Sequence, residues 1–309
     1  MKRKSLLIAG LAVGMVIFFI LNGHGQQSGN YKKLVYDWYP ASTTPVSAVL
    51  VIGGSEGGIG YGKSWARVLN GKGISVLDLA FFGKAPLSGQ LEEIPMEYFQ
   101  RAWDTLSTLA GVNAKKLSII AVSKGTEPAL WLAAHNSNVS LVVAASPSHA
   151  IWQGINRANY SSVKSSWTLA GKPMPFIPYD YSRGTYPIVN FYLKGVESGT
   201  PAEALIPVEK IKGTVVLLAG GKDMIWPASA MTSALEKRYA TVSGNKKLIV
   251  RNYPDAGHGF LLPFEGEAGK KKLMDALAPN LGFLGGDAAA FAQAMEESFQ
   301  LVLEELTRH

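Results

Sequence analysis

The sequence predicts an α/β chain built on a mostly parallel sheet with helices on both faces, and three observations lead there. Apolar runs of strand length alternate with helical stretches over most of the chain. Two of those runs, Ala48-Val49-Leu50-Val51-Ile52 and Leu117 through Val122, are almost continuously apolar, as a strand must be when helices cover both faces of its sheet. Hydrophobic residues make up 47% of the 309 positions, enough to fill one large core, which argues against a disordered main body.

The first segment stands apart from that pattern. Lys2-Arg3-Lys4 precedes an uncharged run from Ser5 to Leu21 that spans roughly 25 Å if helical, a little less than the ~30 Å of a bilayer core. Residues 1–25 are therefore expected to be a signal peptide or an N-terminal membrane anchor, with the basic end cytoplasmic and the rest of the chain outside the cytoplasmic membrane. Residues 26–30 are small and polar and are expected to form a linker to a domain over residues 31–309.

Within that domain the expected order is a strand over Ser47–Ile52, a helical stretch at Ser64–Leu69, a strand over Ile74–Phe82, a helix over Met96–Leu109 and a strand over Leu117–Val122. A helix from about Gly125 to His135 and a strand at Val139–Ala144 follow. Between Pro147 and Lys210 the alternation stops: Pro147, Pro173, Pro175, Pro178, Pro187, Pro201 and Pro207 interrupt it, and the stretch is expected to be a lid-like insertion. The pattern then resumes with a strand at Thr214–Ala219, a helix at Ala228–Tyr239, a strand at Lys247–Tyr253 and a closing helix over Asp287–Leu306.

Chemistry concentrates at three strand ends. Ser123-Lys124-Gly125 follows the strand ending at Val122 and leads at once into a helix, a turn that lifts a serine hydroxyl above the sheet into the positive potential of the helix N-terminus. Ala121 stands where such turns usually carry glycine, and on its own Ser123 also fits a helix N-cap. Asp223 follows the next strand through Gly220-Gly221-Lys222, and His258 follows the last one within Asp255-Ala256-Gly257-His258-Gly259-Phe260. Serine, acid and histidine thus occur in the chain order of an α/β-hydrolase, each after a strand. His149 and Asp255 are the rival base and rival acid; His149 precedes Asp223, and Asp255 lies too near His258 in sequence to reach the ring nitrogen that faces away from the serine.

Gly53-Gly54-Ser55-Glu56-Gly57-Gly58 follows the strand ending at Ile52, where oxyanion donors are needed, and the backbone N–H groups of Ser55 and Lys124 are the expected pair. The same loop lacks the Gly-Lys-Ser/Thr ending of a phosphate cradle. No spacing suited to a metal site occurs, and no cofactor is expected. With Cys absent, disulfides, thiolate metal sites and a cysteine nucleophile are excluded. The formal charge of +7 owes three of its positive charges to the first four residues, and no basic stripe interleaved with aromatics follows, so nucleic acid is not an expected partner.

Several stretches together resemble the C-terminal catalytic domain of acyl-CoA thioester hydrolases and bile acid-CoA:amino acid N-acyltransferases. They are the Gly-Gly opening at Gly53, Leu79-Ala80-Phe81-Phe82-Gly83, Pro95-Met96-Glu97-Tyr98-Phe99, Ser123-Lys124-Gly125-Thr126-Glu127, Ser165-Ser166-Trp167, Gly171-Lys172-Pro173-Met174-Pro175 and Asp255-Ala256-Gly257-His258, spread over about Ser47 to Leu262. The resemblance implies a Ser-His-Asp triad acting on acyl thioesters, carried here by Ser123, His258 and Asp223. A serine nucleophile fits its hydrolase branch, since the transferase branch often uses cysteine. The residues before Ser47 are expected to leave no room for the immunoglobulin-like domain that animal members carry. His149, Trp152, Trp167, Phe176 and Tyr179 are candidate walls of an acyl pocket within the insertion, although buried aromatics there would equally serve as core. Two other functions remain open at this point: an exported carboxylesterase acting on envelope or lipid acyl esters, and a catalytically inactive, membrane-tethered binding protein.

Overall fold

A computed structural model describes residues 29–42, 46–241 and 247–309. The basic and apolar N-terminal segment lies outside the described residues. Seven strands form one sheet in the order β1-β3-β2-β5-β6-β9-β10: β1 (Val35–Tyr39), β2 (Val46–Ile52), β3 (Ile74–Ala80), β5 (Val112–Val122), β6 (Val139–Ala145), β9 (Thr214–Gly220) and β10 (Leu248–Tyr253). All neighbours run parallel except β1, which pairs antiparallel with β3 at the edge, Asp37 opposite Asp78. A second, three-stranded sheet joins β4 (Ile94–Pro95), β7 (Trp167–Leu169) and β8 (Lys172–Pro173).

The continuous apolar strands divide between two cores because side chains alternate across a pleated sheet. Ala48, Leu50 and Ile52 enter one core with the helices Met96–Thr108, Thr126–His135 and Ala228–Tyr239; Val49 and Val51 enter the other with Tyr61–Leu69 and the long C-terminal helix Ala288–Arg308. Fully burying a side chain of this size contributes roughly 1.5–3 kcal/mol, so strands buried on both faces anchor the centre of the domain. Among the described residues no helix is long and apolar enough to cross a membrane.

The expected strands and helices of the central alternation occur with small boundary changes. β5 starts earlier than its apolar part, at Val112, because its first five residues are partly or fully exposed and give no hydrophobic signal. Several elements were not expected. β1 is half-exposed along its length and the helix Gly266–Leu277 buries only Leu277; Val35, Tyr36, Trp38, Tyr39 and Met274 pack against the cores only in part, without the continuous buried run of the inner strands. The helix Asn190–Glu197 sits inside the insertion. The insertion is thus less irregular than its prolines suggested: β7 and β8 occur there as well, and a third core gathers Ala150, Trp152, Ile177, Tyr192 and Ala204 against Trp226 and Met231. That core seats the insertion on the sheet edge where the parallel strands end.

Candidate active site

The carboxyl ends of β2, β5, β6, β9 and β10 meet along one edge, the usual place for a site in a parallel sheet. Ser123 follows β5 directly. Its backbone sits at φ 53°, an uncommon conformation for a residue with a side chain, between extended Val122 and a short helical turn over Ser123–Gly125. Two contacts maintain it. The Thr126 hydroxyl donates to the Ser123 carbonyl at 2.7 Å, and Gly125 packs so tightly against the end of β2 that a Cβ there would stand 2.0 Å from the Gly53 carbonyl oxygen. Glycine is required at 125 for this close approach.

Ser123 Oγ lies 2.8 Å from His258 Nε2, and His258 Nδ1 lies 2.6 Å from Asp223 Oδ2. The hydroxyl donates to Nε2 and the Nδ1–H donates to the carboxylate, the tautomer this pattern of partners requires. The other carboxylate oxygen of Asp223 accepts from the backbone N–H of Ile225 at 2.8 Å and of Trp226 at 3.1 Å, which fixes the group from behind. The rivals are occupied elsewhere. Asp255 pairs with Lys222 at 2.7 Å on the surface, and His149 Nε2 meets the Thr200 hydroxyl at 2.6 Å.

The histidine loop is held by backbone contacts that residue types alone do not reveal. His258 N–H donates to the Leu284 carbonyl, Met224 N–H donates to the same carbonyl, and Lys222 N–H donates to the Ala256 carbonyl. Gly257 and Gly285 permit this interleaving; a Cβ on Gly257 would sit 2.0 Å from the Gly285 carbonyl oxygen. Gly259 N–H donates to the Ser146 hydroxyl at the end of β6, and the Trp226 ring meets the His258 imidazole edge-on at 5.9 Å.

Lys124, expected for its backbone N–H, is buried along its whole length. Its ammonium contacts Glu127 Oε1 at 2.6 Å and donates to the Trp152 carbonyl at 3.3 Å. Glu127 Oε2 accepts from the Trp167 indole N–H at 2.7 Å and from Trp152 N–H at 3.4 Å. Burial pushes the lysine pKa down and the glutamate pKa up, and the contact between them opposes both shifts. Trp152 and Trp167 are therefore interior residues that clasp this pair, and His149 is interior too, its edge toward Trp152. Desolvation lowers the His149 pKa to about 4, with Arg238 adding to the shift. Tyr179 donates its hydroxyl to the Gln153 carbonyl, and Phe176 packs at the margin of the first core.

In the loop after β2, Gly54 abuts the nucleophile, a Cβ there lying 3.0 Å from Ser123 Cβ. Ser55 is pinned through its carbonyl, which accepts from Arg157 at 2.7 Å. Glu56, a member of the expected loop without an expected role, turns back so that Oε1 accepts from Gly54 N–H at 2.8 Å. Glu127 and Trp226 were likewise not expected at the site. A Lys-Glu pair three residues apart at a helix start was the available signal for Glu127, and nothing in the sequence distinguished Trp226.

Residues 94–309 match the family model described as BAAT / acyl-CoA thioester hydrolase C terminal. Human mitochondrial acyl-coenzyme A thioesterase 2 is 24% identical over 267 residues, 84% of this chain and 52% of the relative. Mouse bile acid-CoA:amino acid N-acyltransferase is 24% identical over 278 residues, 87% of this chain and 61% of the relative. The chain thus spans between half and two thirds of the length of these curated relatives. Among solved structures, a dienelactone hydrolase-like promiscuous phosphotriesterase from metagenomic libraries superposes with a TM-score of 0.52 at 14% identity, covering 90% of this chain and 96% of that one, a likeness of fold alone. An ordered run of strands, a serine at the elbow after β5 and a family match through the whole C-terminal part converge: the chain has the α/β-hydrolase fold and belongs to the BAAT / acyl-CoA thioester hydrolase C-terminal family.

Proposed function

We propose that this chain is a serine hydrolase that cleaves acyl thioesters through an acyl-enzyme intermediate. The observation that carries the proposal is the continuous relay from Ser123 Oγ through His258 to Asp223, at 2.8 and 2.6 Å. Ser123 Oγ attacks the acyl carbonyl as its proton passes to His258 Nε2, and Asp223 holds the imidazole in orientation and stabilises the imidazolium. Collapse of the tetrahedral intermediate breaks the C–S bond, and the departing sulfur takes the proton from His258 Nε2, which releases the thiol and restores the neutral imidazole. Water, deprotonated by the same nitrogen, then frees the acid. A thiol with a pKa near ~8.5 leaves with little help from protonation, which favours thioesters over amides. Relatives named acyl-CoA thioesterases support the substrate class.

A second reading, an exported esterase acting on envelope or lipid acyl esters, is favoured by Lys2-Arg3-Lys4 and the apolar run behind it, which in this reading keep the domain outside the cytoplasmic membrane, tethered or released. Turnover of acyl-CoA against short and long p-nitrophenyl esters separates the two. A fluorophosphonate probe is expected to label the wild type and not Ser123→Ala, and Asp223→Asn is expected to lower kcat by roughly 10⁴-fold. A wild type that resists the probe and turns over neither ester class would favour a binding protein instead.

A further inference from the structure

The relay leaves one carboxyl group at the reacting centre unused. Glu56 belongs to the loop that follows β2, and its side chain folds back over that loop: Oε1 accepts from Gly54 N–H at 2.8 Å. A Cβ built on Gly54 would lie 2.8 Å from Glu56 Oε2 and 3.0 Å from Ser123 Cβ, so the carboxyl and the nucleophile border the same small space. A Cβ on Gly53 would meet Glu56 Oε1 at 2.5 Å, which shows how closely the carboxyl covers the backbone of the loop. Arg157 stands behind it, donating to the Ser55 carbonyl and holding the turn in place. Glu56 retains some access to solvent as a residue, but its carboxyl lies deep enough for desolvation to raise its pKa. The backbone N–H groups of the loop and the nearby Arg157 guanidinium oppose that shift.

A carboxylate resembles the tetrahedral oxyanion in what it asks of its surroundings, namely backbone N–H donors aimed at negative oxygen. One N–H cannot serve two anions at full strength, and two negative oxygens side by side repel. We propose that Gly54 N–H, rather than the expected Ser55 N–H, is the oxyanion donor of the β2 loop, and that Glu56 is a positioning residue that occupies it while no acyl group is bound and yields it to the acyl oxygen as Ser123 attacks. In the resting site the carboxylate keeps the loop in the shape the transition state needs, since an unpaired buried N–H would favour rearrangement. During attack it is a competitor, so its presence weakens binding of tetrahedral anions more than binding of neutral substrate.

The inference rests on the serine-hydrolase reading, and the two can fail separately. The full chain and its Glu56→Gln and Glu56→Ala variants are to be compared for affinity toward an alkyl boronic acid, which forms a tetrahedral anion on serine, for KM and for the rate of fluorophosphonate labelling. Gln keeps an acceptor for Gly54 N–H without the charge, so at least one variant should retain the loop, as circular dichroism and the thermal midpoint will report. Boronate affinity and labelling rate are expected to rise on the order of tenfold in Glu56→Gln while KM stays within about twofold. Unchanged or weaker boronate binding in a folded Glu56→Gln, with the wild type labelled normally, overturns the inference. So does a variant that accumulates acyl-enzyme, because Glu56 would then act as a base in deacylation. A wild type that takes up neither probe overturns the hydrolase reading itself.

Discussion

Separating Lys124 from Glu127 is expected to be among the most damaging single changes outside the relay. The two side chains are 2% and 0% exposed, and their charged atoms stand 2.6 Å apart. Removing one partner strands the other charge in a dry site; breaking a buried pair of this kind costs about 3–5 kcal/mol, whereas replacing both partners with apolar groups of similar volume is often close to neutral. Lys124→Met and Glu127→Leu should therefore each lower the thermal midpoint by roughly 6–10 °C, at about 2 °C per kcal/mol for a domain of this size. The double variant should recover much of that loss, although Glu127→Leu still deprives the Trp167 indole N–H of its acceptor, a residual cost of about 1–3 kcal/mol. Urea unfolding of the four proteins in a double-mutant cycle supplies the coupling energy. Strictly additive single effects, or single variants within about 1 kcal/mol of wild type, would refute the view that each charge depends on the other.

Two further outcomes follow from the geometry. Gly125→Ala places a Cβ 2.0 Å from the Gly53 carbonyl, an atom fixed at the end of β2, so it should destabilise the fold by about 1–3 kcal/mol and abolish probe labelling at Ser123; normal labelling would mean that the elbow tolerates displacement. His149 provides a pH signature. Its folded pKa of about 4 lies below the ordinary 6.5, so the unfolded chain takes up the proton first, and the stability contributed by neutral His149 is present above about 6.5 and lost as pH falls toward 4. Relative to His149→Gln, the wild type should lose about 3 kcal/mol between pH 7.5 and pH 4 in urea unfolding, and a constant difference would show that His149 does not titrate with unfolding.

The parts of the molecule legible in the sequence are those where burial and chain order act together. β2, β5, β6 and β9 are apolar on both faces because two cores cover them, and each ends in a loop bearing Gly54, Ser123, Ser146 or Asp223. Ser123, Asp223 and His258 could be singled out because a parallel sheet carries successive strand ends to one edge. Side chains whose role depends on contacts away from the strand ends were harder to assign. Glu127 reads as an exposed helix-start acid until Trp152 and Trp167 close over it, and Glu56 reads as loop polarity until it turns back onto Gly54. The same limit applies to β1 and to the helix Gly266–Leu277, which lean on the domain through side chains that are mostly only half-buried. For Trp152 and Trp167, aromatic character alone could not separate a pocket wall from a clasp around a buried charge.

The interleaved turns at Lys222, Ala256 and Leu284 make acid and base mechanically inseparable. Because both loops hang from the same Leu284 carbonyl, a loop transplanted from a relative would keep the relay in line only if all three turns were exchanged as a unit. Laboratory variation of specificity in this scaffold is accordingly better directed at exposed positions of the insertion over residues 147–210, leaving in place Trp152 and Trp167 around the Lys124–Glu127 pair and the Val189 N–H that donates to the Met224 carbonyl.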